Sequence, residues 1–119
     1  MFTDEISNRI PVWTALSEFY IDTELNQDDI TRIKKVFIDS GQTLDDIKKI
    51  DIYEVFPLLQ TNLLSPAGTW AGFDDDWLMK ECIKRYRRRR FFIYRLTCNF
   101  FNMFFFSMRK RYWEKIELL

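Results

Sequence analysis

Phe73-Asp74-Asp75-Asp76-Trp77-Leu78 divides this chain into two unlike parts. Residues 1–76 hold 15 acids and 6 bases, a balance of −9, whereas residues 77–119 hold 3 acids and 12 bases, a balance of +9. Downstream of the seam no glycine or proline interrupts the chain. Asp74 suits a helix cap, with Asp75 and Asp76 beside the positive end of the helix dipole. At about 100° per residue, Lys84, Arg88, Arg95, Asn99, Asn102 and Arg109 share one stripe roughly 80° wide. Leu78, Cys82, Ile83, Tyr86, Ile93, Leu96, Phe100 and Phe104 share a broad apolar arc. That coherence predicts helix throughout, with the arc in the core. A straight helix over these residues would be about 70 Å long, whereas a domain of this size has a radius of gyration of about 13–14 Å. The segment should therefore bend near Arg90 or near Thr97-Cys98-Asn99, or else a homodimer should cover it.

Upstream of the seam the signals are helical and acidic. A first helix is expected near Ile10, with Pro11 in its first turn and Val12, Trp13, Leu16, Phe19 and Tyr20 mostly on one face. Asp22-Thr23-Glu24-Leu25 reads as its end. A second helix follows Asn26, with Ile30, Ile33, Val36 and Phe37 as its stripe and Gly41 as its stop. A third has Thr43 as cap and Asp46 three residues on, a box-like start, and Pro57 should end or kink it near Phe56. Ser65-Pro66-Ala67-Gly68 supplies turn chemistry, and Trp70 and Phe73 are expected to pack back on the core.

The 119 residues are 47% hydrophobic, 30% charged and 18% aromatic, with three Gly and three Pro. These figures fit a single all-α domain over 1–119: a compact helical bundle of three acidic N-terminal helices packed on one or two long basic, aromatic C-terminal helices. The absence of histidine removes the commonest general base and metal ligand. Cys82 and Cys98 lack CxxC spacing and read as buried thiols in a reducing cytoplasm. Asp4 and Glu5 stand where a secretory signal would carry bases. No nucleophile–base set, phosphate loop or calcium-loop spacing appears, so no enzyme and no cofactor is expected.

Two clusters could carry binding. Arg87-Arg88-Arg89-Arg90, with Arg109 and Arg111, would suit a solvated face, pairing with the N-terminal acids, or phosphate-bearing partners such as nucleic acid. Residues 91–108 approach a membrane span in length, but Arg95, Asn99 and Asn102 interrupt it; a buried core helix is expected ahead of an interfacial helix on anionic lipid. The acids Asp28, Asp29, Asp45, Asp46, Asp51 and Glu54 on helices 2 and 3 form the other candidate surface.

The stretches Pro11-Val-Trp-Thr-Ala-Leu-Ser-Glu-Phe-Tyr-Ile-Asp-Thr-Glu-Leu25 and Asn62-Leu-Leu-Ser-Pro-Ala-Gly-Thr-Trp-Ala-Gly-Phe-Asp-Asp-Asp-Trp-Leu78 resemble a bacterial family of small uncharacterised proteins. The likeness spans most of residues 9–80, and the tail after Phe91 resembles no family. The resemblance implies a bacterial cytoplasmic protein and carries over no residue role. Small size, missing catalytic chemistry and charge segregation point to a non-enzymatic inhibitor of the immunity-protein kind. It would bind an effector toxin through the six acids. The alternative is an accessory protein that uses the arginines to bind nucleic acid or an anionic membrane.

Overall fold

The computed structural model describes residues 3–21, 24–63 (side chains to residue 60) and 74–118. Helix α1 spans Asp4–Ser17. Thr3 is extended and its side chain accepts from the Ile6 N–H at 3.3 Å, so the helix starts six residues before Ile10. Pro11 therefore lies inside it, on an exposed side. The carbonyl that Pro11 cannot serve belongs to Ser7, itself exposed, so the lost bond costs little there. A 3₁₀ turn, Glu18–Tyr20, buries Phe19 and Tyr20.

Helix α2, Gln27–Asp39, opens on a full capping box: the Asp29 N–H donates to Asn26 at 2.8 Å and the Asn26 N–H to Asp29 at 3.0 Å. It ends at Gly41, whose φ of +75° suits glycine. Thr43 caps α3, Leu44–Ile50, through the Asp46 N–H at 3.1 Å. Residues Asp51–Val55 then continue as a π-helical turn into α4, Phe56–Leu63. Pro57 thus neither ends nor visibly breaks the rod. The turn before it widens, the Phe56 N–H reaching back to the Asp51 carbonyl, and the Tyr53 carbonyl accepts from the Tyr94 hydroxyl at 2.7 Å.

Asp74 caps α5, Asp75–Arg88, by accepting from the Trp77 N–H at 2.9 Å. The chain turns at Arg89–Phe91 into α6, Phe92–Phe105, which meets α7, Ser107–Leu118, at Phe106. Phe106 keeps helical angles, φ −61° and ψ −31°. Of the two expected bends, the one near Arg90 is present, whereas Thr97-Cys98-Asn99 lie within α6. The radius of gyration is 13.6 Å. The described residues contain helices and no strand, so the all-α bundle stands.

The core joins Trp13 and Leu16 of α1, Ile33 and Phe37 of α2, Ile47 of α3 and Leu59 of α4 to Leu78 of α5 and Ile116 of α7. Trp113 stacks on Phe37 at 5.8 Å and meets Phe19 edge-on at 5.4 Å. Thus α7, rather than the Phe-rich α6, supplies the C-terminal aromatics of the core. Cys82 and Cys98 are free and buried, and burial pushes both thiols up. The expected Ser65–Gly68 turn, the packing of Trp70 and Phe73, and Asp22-Thr23 lie outside the described residues.

Candidate functional site

The π turn places two acids, three residues apart, into the interior: Asp51 is 1% exposed and Glu54 0%. Asp51 accepts from the Tyr20 hydroxyl at 2.5 Å and from Arg109 Nε at 2.9 Å. Arg109, itself 1% exposed, also donates to the Asn102 side chain at 2.5 Å, and its guanidinium lies 4.8 Å from the Phe56 ring centre. A buried ion pair is tolerated only when its remaining polar atoms are served, and most of these are. Burial, then the Asp51 charge, pushes the Tyr20 hydroxyl well up, so it remains a donor.

Glu54 accepts from the Trp13 indole at 2.8 Å and from Arg89. Arg9 Nε stands 3.3 Å away as a charge contact. Burial nevertheless raises the Glu54 carboxyl, outweighing Arg89 and Arg9. Two guanidinium groups share one carboxylate, so positive charge is left over at this end of the molecule. Above it, at the α5–α6 turn, an open cleft of about 590 Å³ is lined by Lys49, Tyr53, Arg87, Arg89, Arg90 and Arg95, with Tyr86 at its side. Arg95 donates to the Arg89 carbonyl at 2.6 Å. Among the described residues no carboxylate pairs with Lys49, Arg87, Arg90 or Arg95.

Helix α6 is turned opposite to the expectation. Arg95, Asn99, Asn102 and, in α7, Arg109 form the polar stripe on the side toward the protein, with Asn99 exposed at its edge: Asn99 donates to the Tyr53 hydroxyl at 3.0 Å, and Asn102 accepts from Arg109. The apolar arc faces out. Phe91, Phe92, Ile93, Leu96, Phe100, Phe101, Met103, Phe104 and Met108 are all exposed, Ile93 to 70% and Met103 to 79%. The buried-core expectation for residues 91–108 therefore fails. Asn99 bonds the Tyr53 hydroxyl and Asn102 bonds the Arg109 that pairs with Asp51, and those contacts fix the rotation of the helix. No helix among the described residues is long and apolar enough to cross a membrane.

Of the six acids proposed as one surface, Asp51 and Glu54 are interior and engaged, so they cannot belong to an exposed face. Asp28, Asp45 and Asp46 are exposed and Asp29 half-buried, all in the first turns of α2 and α3. Of the basic set, Arg87, Arg88 and Arg90 are exposed, Arg89 pairs inward with Glu54, and Arg109 belongs to the core. Arg111 is exposed and lies 3.3 Å from Glu24. Sequence reasoning missed Lys49, Tyr53 and Arg95 as cleft residues. One signal was available for the buried acids: Ile50-Asp-Ile-Tyr-Glu-Val-Phe56 sets both carboxylates among apolar neighbours. Among the described residues no group of three or more acids, cysteines or histidines converges as a metal site would require.

The family model Domain of unknown function (DUF7079) matches residues 7–119, and the chain belongs to that family. The match includes the aromatic tail, so the resemblance extends well beyond residues 9–80. No curated protein and no solved structure matches the chain.

Proposed function

We propose that this is a non-enzymatic binding protein that docks on anionic membrane surfaces through the outward face of α6 and the arginines beside it. The observation that carries this reading is the run of nine exposed apolar side chains between Phe91 and Met108. Contiguous apolar surface of that kind marks an interaction site. Its surroundings favour an anionic lipid surface as the partner. Arg90 lies 4.8 Å over the Phe91 ring, with Arg87 nearby in the same cleft. Lys110 and Arg111 at the other end lie beside Glu114 and Glu24, and no acid stands between Glu81 and Glu114 in the chain. Phenylalanines that enter the boundary of the acyl chains, with bases reaching phosphates, are the chemistry of an interfacial helix. A nucleic acid would leave the apolar face uncovered. Residues 91–108 of a second copy carry no acid, so pairing through this face would bring no counter-charge to Arg87 and Arg90. Free, buried cysteines accord with action at the cytoplasmic leaflet, where anionic lipid is concentrated.

An inhibitor acting through an acidic face would retain Asp28, Asp29, Asp45 and Asp46. Each sits where capping and the helix dipole already favour an acid, so we rank that reading second. The test is co-sedimentation with phosphatidylcholine vesicles, with and without phosphatidylserine. Binding that requires phosphatidylserine, weakens with salt and is lost in Phe100→Ser/Phe104→Ser supports docking. Equal recovery in the supernatant with either vesicle, or tighter binding to a DNA duplex at the same salt, contradicts it.

A further inference from the structure

The cleft at the α5–α6 turn is more than a charged rim. Four of its cations, Lys49, Arg87, Arg90 and Arg95, have no carboxylate partner among the described residues. Arg89 is different, because Glu54 neutralises it and fixes it to the cleft floor. Arg95 is held in place by its bond to the Arg89 carbonyl at 2.6 Å, which leaves its other N–H groups for a ligand. The Tyr53 hydroxyl accepts from Asn99, and no described group accepts its proton. Arg89 lies 5.2 Å over the Tyr53 ring, which keeps that ring at the cleft wall. Helix α6 also begins here with no side-chain cap at Phe91. A cavity that gathers unpaired guanidinium groups and a hydroxyl donor, with no acid in its lining, is complementary to a doubly charged oxyanion.

We infer that this cleft, whose Arg90 lies beside the exposed Phe91 at the start of α6, is a phosphate-binding site that takes a phosphomonoester. A monoester offers three terminal oxygens and more than one negative charge, matching several separate donors. A diester offers two oxygens and one charge. The volume, about 590 Å³, holds a phosphate with part of the group it esterifies. The inference deepens the docking reading and rests on it for the lipid source of the phosphate. A soluble phosphomonoester would use the same donors.

The experiment compares the full chain on phosphatidylcholine vesicles carrying phosphatidic acid or phosphatidylserine at matched surface charge, alongside titration with glycerol phosphate in solution. Wild type is expected to bind phosphatidic acid vesicles about tenfold more tightly, the worth of one or two charge-assisted bonds. Arg95→Gln should bring the two vesicle types to equal affinity. Lys49→Gln/Arg90→Gln, both at exposed positions, should do the same without touching the fold. Lys35→Gln, on the far exposed side of α2, should keep the preference. Glycerol phosphate binding that requires Arg95, with no preference between vesicles, would support the cleft and assign it a soluble ligand. Equal vesicle affinities together with no glycerol phosphate binding would overturn the cleft while leaving membrane docking in place. Loss of all vesicle binding with glycerol phosphate binding retained would overturn docking alone.

Discussion

The turn at Asp51–Val55 and the outer face of α6 invert the usual arrangement of a small domain. The turn puts two carboxylates in the interior, where Arg109 of α7 meets one of them, and α6 puts phenylalanines into water. One cause links them. Asp51 and Tyr53 recruit Arg109, Asn102 and Asn99, and the helix that carries the two asparagines can show that stripe to the protein only by turning its apolar arc away. Buried polar groups are severe when unmatched, so a few specific partners can outweigh a wide apolar surface that retains another use.

The largest effect is expected at the buried Asp51–Arg109 pair. Asp51→Ala leaves Arg109 charged and unpaired, and should lower unfolding free energy by about 3–5 kcal/mol. Asp51→Leu/Arg109→Met should recover most of that loss, because both charges leave together. Urea midpoints measure both. Next in size, Trp13→Phe removes the indole bond to Glu54 at a cost of about 1–3 kcal/mol, by the same measurement.

A smaller effect concerns pH. Glu54 has its carboxyl raised above the ordinary 4.5 by burial. Its proton is therefore held more tightly in the fold than in the unfolded chain. The stability it confers is full below the ordinary value and is lost as pH rises through the raised one. Wild type should therefore gain on Glu54→Gln as pH falls from about 7 to about 5. A difference between the two that is independent of pH would contradict the raised value. Least affected should be the stability of Leu96→Ser and Phe100→Ser, which change an exposed face and should move it by less than about 0.5 kcal/mol.

Much of the fold was legible because its signals are local. Asn26, Thr43 and Asp74 cap helices, Gly41 stops one, and the stripe at Ile30, Ile33 and Phe37 is buried. Thr3 was equally local, but Pro11 drew the start of α1 to itself. The π turn was not legible: Pro57 leaves the Tyr53 carbonyl without its helical donor, and the Tyr94 hydroxyl that serves it lies far along the chain. The site divides in the same way. Periodicity separated the polar and apolar stripes of α6 but could not say which faced inward. That decision rests with Asp51, Tyr20 and Tyr53, on other elements. The acids at 51 and 54 share only their charge with the adjacent pairs at 28, 29 and 45, 46, and their apolar neighbours were the local sign that burial would set them apart.

Helix α6 presents its apolar face to solvent, and under the proposed function anionic lipid covers it. The most direct test is thiol labelling of Met103→Cys, with the buried Cys82 and Cys98 as a quiet background. Labelling at the rate of an exposed thiol, slowed by phosphatidylserine-containing vesicles and unchanged by phosphatidylcholine alone, is the predicted result. Slow labelling without vesicles would show the face covered by the protein itself or a second copy, and would contradict the account.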